Sequence, residues 1–262
     1  MRLGLNNGRY LGQRIDIETV LQNLKKSAAN CGWRRSESPR PVSKDRLVEF
    51  LGYEKLCASP RLRIYLSAGI HGDEPAGPLA AARLFAEDRW PKGVSLWFCP
   101  CLNPTGFPES LRTNNQGIDL NRDYRGFRTE ETLRHAAWLQ ARPHFDFTIC
   151  LHEDWEAHGF YLYEFSRGSR PSLAAAILRA VGSTCPIDYS SQLDGWPASE
   201  GVVRPRIEPK SRPEWAEAAF LAVNKTSQTY TLESPSDFPM EVRVEALVTG
   251  VRAALDEACR LL

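Results

Sequence analysis

The stretch SAGIHGDEPAGPLA, Ser67 to Ala80, sets His71, Asp73 and Glu74 in a glycine-flanked turn between an apolar run and an alanine-rich one. An imidazole and a carboxylate three residues apart can turn towards one cation, but glutamate is common and a lone H-x-x-E arises readily by chance. Two further residues share the address. His152 follows directly on the apolar run FDFTICL, and Glu233 ends the alternating run SQTYTLE. Each alone has a bland reading: His152 as a hydrogen-bonded core histidine, Glu233 as a capping or salt-bridged acid. Together, His71, Glu74, His152 and Glu233 all fall at or just beyond strand ends, which is where open α/β sheets collect their ligands. Two imidazoles and one carboxylate with an open fourth position form the donor set of a catalytic zinc, whereas a structural zinc takes four closed ligands rich in thiolate. The same donors could hold iron(II) for oxygen chemistry.

A second motif narrows the choice. In CLNPTGFPESLRTNNQGIDLNRDY, Arg112 lies ahead of Asn121 and Arg122 in a connection rich in Gly, Asn and Pro. An isolated arginine there would simply face water. A planar guanidinium beside a neutral amide donor is, however, a device for holding a carboxylate in two places. With HGDE, NPTGF…R…GIDLNRDY, ICLHED and YTLESP following one another in order between Ser67 and Pro235, the chain resembles the zinc carboxypeptidases of the funnelin-type metallocarboxypeptidase family. Its size and its HGDE, DLNR and ESP forms look closest to small bacterial members such as murein-peptide amidases.

The resemblance implies one zinc per chain held by His71, Glu74 and His152. Arg112 would polarise the scissile carbonyl, Asn121 and Arg122 would hold the substrate's free carboxylate, and Glu233 would act as general base on the attacking water. Asp73 would be a bystander pointing away from the metal. The implied substrate is a small peptide or peptide-like molecule with a free carboxylate beside the bond that is cut. The family's substrate-loop tyrosine is matched only in its general region, by Tyr189. An alternative with the same H-x-x-E, DLNR and late histidine is an N-acyl-amino-acid deacylase of the succinylglutamate desuccinylase and aspartoacylase type. Those relatives carry a further β-rich region, whereas the residues after Glu233 here read as one helix. Iron chemistry would require neither Glu233 nor the Asn121–Arg122 pair, and a catalytically inactive binding module would not need to retain all of these residues.

The elements that must position these residues alternate along the chain. Asp16 can cap a helix carrying Ile17, Val20, Leu21 and Leu24 on one face and stopped by Gly32. RLVEFLGY and LRIYLSAG read as strands, and Pro75 and Pro78 suit the first turn of a helix whose inner stripe would be Leu79, Ala82 and Ala86. VSLWFCPCLNP reads as a buried strand with Cys99 and Cys101 on one side, ETLRHAAWLQA as a helix and FDFTICL as a strand. PSLAAAILRAVG and RPEWAEAAFLAV read as helices, SQTYTLE as a strand, and the chain closes in a long amphipathic helix. Strands and helices taking turns predict an α/β fold: a single-domain three-layer sandwich over residues 1–262, with a mixed, largely parallel central sheet flanked by helices and zinc carboxypeptidase-like by resemblance. Ile187 to Arg212, rich in Pro, Ser and Gly, exceeds an ordinary connection and is expected to be a functional loop.

Composition excludes several classes. The chain has 262 residues, 42% of them hydrophobic and 25% charged, with a net charge of +1 from interspersed acids and bases. No basic footprint points to nucleic acid or an anionic membrane, and no apolar run is long enough to span a bilayer. The first residues lack the apolar core of a signal peptide, so a cytoplasmic location is expected. Seven cysteines without a C-x-x-C pair make a disulfide framework an unsuitable explanation, and Cys99 and Cys101 are expected to be core filler.

Overall fold

The computed structural model describes residues 3–4, 13–39, 50–205 and 211–262. A ten-stranded sheet runs through them in the order β1-β2-β4-β3-β5-β10-β6-β9-β8-β7. Its centre is parallel: β3 (Leu62–Ala68) lies between β4 (Val94–Cys99) and β5 (Phe147–Asp154), and β5 pairs in parallel with β10 (Gln228–Pro235). Antiparallel strands close both sides. On one side these are β1 (Arg34–Ser36) and β2 (Gly52–Lys55). On the other, β6 (Tyr161–Ser166) runs antiparallel to β10 and is followed by the short strands β7 (Gln192–Leu193), β8 (Trp196–Ser199) and β9 (Val202–Val203).

Strand periodicity divides the core into two faces. Ile64, Leu66, Ile149, Leu151, Tyr230 and Leu232 point to one side, covered by α1 (Ile17–Asn30), α2 (Ala76–Glu87), α4 (Ala174–Val181) and α6 (Met240–Arg260). Tyr65, Trp97, Cys99 and Cys150 point to the other, where they pack with residues of α3 (Glu130–Gln140) and α5 (Glu217–Asn224). The expected three-layer α/β sandwich with a mixed, largely parallel sheet is therefore what forms. Among the described residues, no helix is long and apolar enough to cross a membrane.

Local chemistry explains several boundaries. The Asp16 carboxylate accepts from the Thr19 amide at 3.1 Å to start α1, and Gly32, at φ +72°, turns the chain out of it. Asp123 is fully buried and accepts from the amides of Arg128 and Thr129, each at 2.9 Å, and from the Thr132 hydroxyl at 2.7 Å, which fixes the entry to α3.

Several expectations need correction. The buried stripe of α2 is Ala76, Gly77, Pro78, Ala80, Ala81, Leu84 and Phe85, not Leu79, Ala82 and Ala86. In an alanine-rich helix the two large side chains at 84 and 85 decide which face turns inward. The strand read from RLVEFLGY begins only at Gly52, and residues 46–49 lie outside the described residues. Cys101 lies beyond the end of β4, so Cys99 and Cys101 do not share a strand face and fall in separate clusters. All seven cysteines are unpaired, and four of them, Cys99, Cys101, Cys150 and Cys185, are buried. Within the span from Ile187 to Arg212 the short strands β7, β8 and β9 extend the sheet, and the rest is loop; residues 206–210 lie outside the described residues.

One tie reaches from the layer of α1, α2, α4 and α6 to the sheet beneath the HGDE turn. Arg243 of α6, 2% exposed, donates to the Glu153 carboxylate at 2.7 Å, and Glu153 also accepts from the Ala76 amide at 2.5 Å where α2 begins. Removing one partner leaves a buried charge unpaired, and Arg243→Met is expected to lower the unfolding free energy by about 3–5 kcal/mol. Urea denaturation of the two proteins measures it, and a loss below about 1 kcal/mol would show that the pair is not a structural tie.

Candidate metal centre and cavity

The HGDE turn leaves β3 through Gly69, which sits at φ +64°. Its backbone is held by neighbouring loops: Leu102 donates to the Ala68 carbonyl at 3.1 Å, Asn103 to that of Gly69 at 2.8 Å, and Gly72 to that of Leu111 at 2.9 Å. At Gly72 an added Cβ would come within 2.2 Å of the Gly106 carbonyl carbon, so no larger residue fits between His71 and Asp73. Two elements thus approach closely enough to fix both imidazole and carboxylate.

His71, Glu74 and His152 meet as expected. Their ligand atoms lie within 4.8 Å of one another, and all three residues are buried. Nδ1 of His71 is 2.5 Å from Glu74 Oε1, and Nδ1 of His152 is 2.9 Å from Glu74 Oε2. The far nitrogen of His71, Nε2, lies 3.3 Å from Asp119 Oδ1, and a proton kept on that side would leave Nδ1 to offer a lone pair to a cation in the cluster. His152 lies within β5 rather than past its end, and parallel pairing sets Glu233 of β10 beside it. Asp73 lines the cavity but contributes no atom to the cluster.

Electrostatics show what the cluster requires. Burial works against charge on Glu74, yet the imidazoles of His71 and His152 hold its carboxyl well below the usual range. Burial likewise disfavours a proton on His71, but Glu74 and Asp119 overcome it and push its pKa up to about 9. A buried carboxylate that drives a proton onto its neighbour marks a place for positive charge, and two imidazole nitrogens with one carboxylate oxygen suit a divalent cation of the zinc type. At Glu233, burial and then the charges of Glu74, Asp154 and Asp194 push the carboxyl well above its ordinary value.

These residues line a cavity of about 620 Å³. Arg112, Asn121 and Arg122 reach it from the loop and short 3₁₀ turn before α3. Arg112 Nε donates to Asp119 Oδ2 at 3.0 Å, while Arg122 Nη1 donates to the Asn121 carbonyl at 2.8 Å and forms no ion pair among the described residues. Asn121 spends its side-chain oxygen on the Glu217 amide at 2.9 Å, so its NH₂ group remains for a ligand. Opposite stand Tyr161 and Tyr163 of β6, whose hydroxyls donate to Asp154 at 2.9 Å and Asp194 at 2.6 Å. Tyr189, by contrast, is 68% exposed and does not line the cavity.

Sequence reading missed Asp119, although it stands inside the GIDLNRDY motif. It joins three groups: it accepts from His71, from Arg112 and, at 2.8 Å, from the Asn121 amide. It also missed β6, whose signal was the alternation of Tyr161, Tyr163 and Phe165.

The sequence pattern of the succinylglutamate desuccinylase/aspartoacylase catalytic domain matches residues 60–220. No curated protein matches the chain. Among solved structures, a protein named as a candidate metallopeptidase from Shewanella denitrificans is 22% identical, with a TM-score of 0.80 over 98% of this chain and 100% of that one. A similarly named protein from Shewanella amazonensis is 21% identical, with a TM-score of 0.78 over 95% and 98%. A metallo-carboxypeptidase from Pseudomonas aeruginosa, in complex with (2-guanidinoethylmercapto)succinic acid, is 15% identical, with a TM-score of 0.68 over 95% of this chain and 70% of that one. At these identities the likeness is one of fold.

The tight packing at Gly72 makes a specific demand. Gly72→Ala is expected to cost about 1–3 kcal/mol of stability, as overpacking does, and to weaken binding of a divalent metal, with zinc as the probe, by displacing His71 from Glu74. Thermal unfolding and competitive titration with a zinc chelator measure the two effects, and a variant that binds zinc as tightly as the parent would show that the close approach does not set the ligand geometry.

Proposed function

This chain belongs to the succinylglutamate desuccinylase/aspartoacylase catalytic-domain family, and on that footing we propose that it is a zinc-dependent hydrolase that cleaves the amide bond beside a free carboxylate in a peptide or an N-acyl amino acid. The observation that carries this reading is the convergence of His71 Nδ1, His152 Nδ1 and the Glu74 carboxylate at the head of a cavity that also holds Glu233, Arg112, Asn121 and Arg122.

When bound there, zinc supplies Lewis acidity, bringing water towards ionisation near neutral pH and polarising a carbonyl. Arg122 and the Asn121 amide bind the substrate's carboxylate and so fix which bond faces the metal ligands. Glu233 takes the proton of the attacking water on its carboxylate and returns it to the leaving amine, so both protonation states of one residue serve the reaction. Arg112 presents a guanidinium to the oxygen on which negative charge develops, an effect worth about 3 kcal/mol for a single preorganised donor. Asp119 keeps Arg112 and His71 oriented together.

Peptide and N-acyl-amino-acid substrates share this chemistry and differ in what lies on the acyl side. A panel of N-acyl amino acids and C-terminally varied peptides, each as free acid and as amide, separates them. Amidation is expected to abolish turnover of whichever class is cleaved, because it leaves the guanidinium without an ionic partner. Equal rates for acid and amide would refute the carboxylate reading.

The base and the metal ligands separate in their own variants. The double variant His71→Ala/His152→Ala should purify without zinc. Glu233→Gln should keep one zinc per chain and its melting temperature while kcat falls at least ~10²-fold. With Glu233 intact, kcat/KM should fall on the acid side as the carboxylate is protonated, and that limb should be lost or displaced in the glutamine variant. Turnover near that of the parent in Glu233→Gln would overturn the mechanism.

A further inference from the structure

The first residue of α5, Glu217, carries a carboxyl that is 1% exposed and that the proposed chemistry does not use. Its Oε1 accepts from the Tyr65 hydroxyl at 2.9 Å and its Oε2 from the Ser67 hydroxyl at 3.0 Å, both on β3. Tyr65 in turn lies 2.7 Å from Nε2 of His135, whose Nδ1 is 2.5 Å from the Tyr124 hydroxyl. Burial keeps this imidazole neutral, its pKa pushed down to about 3, so one ring nitrogen donates while the other accepts. The donors therefore run one way, from Tyr124 through His135 and Tyr65, and end on Glu217.

Such a network holds α5 against the sheet at a chosen place, where a purely apolar contact would allow it to slide. The place matters because of the backbone of the same residue. The Glu217 amide donates to Asn121 Oδ1 at 2.9 Å, and Ala216, Ala218 and Ala219 on either side of it line the cavity. The Asn121 amide group is thereby fixed in orientation: its oxygen is taken, and its nitrogen is the group left for a ligand. Asn121 is also tied through its own N–H to Asp119, the partner of His71.

We propose that Glu217 is a positioning residue for substrate: by locking the first turn of α5 onto Tyr65 and Ser67, it holds Asn121 with its NH₂ group towards the substrate's carboxylate. This rests on the reading of Asn121 and Arg122 as the carboxylate holders. Glu217 touches neither substrate nor metal, so its effect falls on affinity for the free acid rather than on the chemical step.

The test uses the zinc-loaded protein and the compound of the acid and amide panel with the highest kcat/KM, with calorimetric titration of the same panel as a second readout. Glu217→Ala is expected to raise KM for the acid at least ~10-fold, with kcat within ~3-fold and zinc content unchanged. Glu217→Gln, which can accept from Tyr65 and donate to Ser67, should restore KM to within ~3-fold of the parent. In an Asn121→Ala background, Glu217→Ala should add no further loss, since it acts through Asn121. Additive losses, or a fall in kcat at constant KM, would make Glu217 a structural residue only and overturn the proposal. If Glu217→Ala does not fold, Tyr65→Phe and Ser67→Ala remove its donors from outside the cavity, and unchanged KM in both overturns it equally. A parent protein that turns over or binds acid and amide alike refutes the carboxylate reading and the role of Glu217 with it, whereas a parent that prefers the acid while Glu217→Ala leaves KM unchanged refutes the role of Glu217 alone.

Discussion

Glu74 places a buried negative charge between two buried imidazoles, and much of the surrounding structure follows from the need to hold and compensate that charge. A carboxylate out of water is tolerated only when it is hydrogen-bonded and its charge is answered. Here both oxygens are engaged by ring nitrogens, and the Glu153 amide adds a further donor at 3.2 Å. One imidazole comes from the turn that follows β3 and the other from β5 itself, so β3 and β5 have to be neighbours, with β5 running on past the end of β3, which their parallel pairing provides. Parallel pairing in turn obliges the chain to cross back between strands, and the helices that do so become the two outer layers.

The same periodicity that divides the core divides the chemistry. On β5, His152 and Glu153 both border the cavity, but the Glu153 carboxylate turns to the opposite layer and meets Arg243. On β10, Thr229, Thr231 and Glu233 fall on the cavity side, while Tyr230 and Leu232 belong to the apolar core beneath α4 and α6. A one-residue slip in either strand would exchange His152 or Glu233 for a core residue, so register is specified by both faces at once. The buried Arg243–Glu153 pair reinforces that choice from behind.

Much of this was legible from residue types and spacing. Strands with continuous apolar runs, a helix announced by Asp16, and polar residues gathered at strand ends were enough for the α/β sandwich and for His71, Glu74 and His152. The residues that failed to announce themselves share a cause. Asp119 and Glu217 act through hydrogen bonds to partners 48 and 152 positions away, His71 and Tyr65, and no local period carries such a pairing. The α2 stripe was misread because alanines contribute little contrast between faces. The strands after Ile187 were hidden by their brevity: two of them are two residues long, and their pairing is imposed by the edge of β6 rather than by propensity.

A catalytic wall can be built in two ways: from a loop whose conformation is its own, or from a regular element docked onto the sheet. One side of this cavity combines both. Arg112, Asn121 and Arg122 stand on an irregular connection, but its end is pinned by Asp123 at the start of α3, and its middle is pinned by Glu217 at the start of α5. Both pins are buried acids that accept several hydrogen bonds, and the cost of leaving such a group unsatisfied is what makes each of them specific in position. A connection rich in Gly, Asn and Pro has many conformations open to it when free, and ordering it on demand would cost conformational entropy at every turnover. Two satisfied buried carboxylates transfer that ordering to folding, so Arg112, Asn121 and Arg122 are already in place before any ligand enters the cavity.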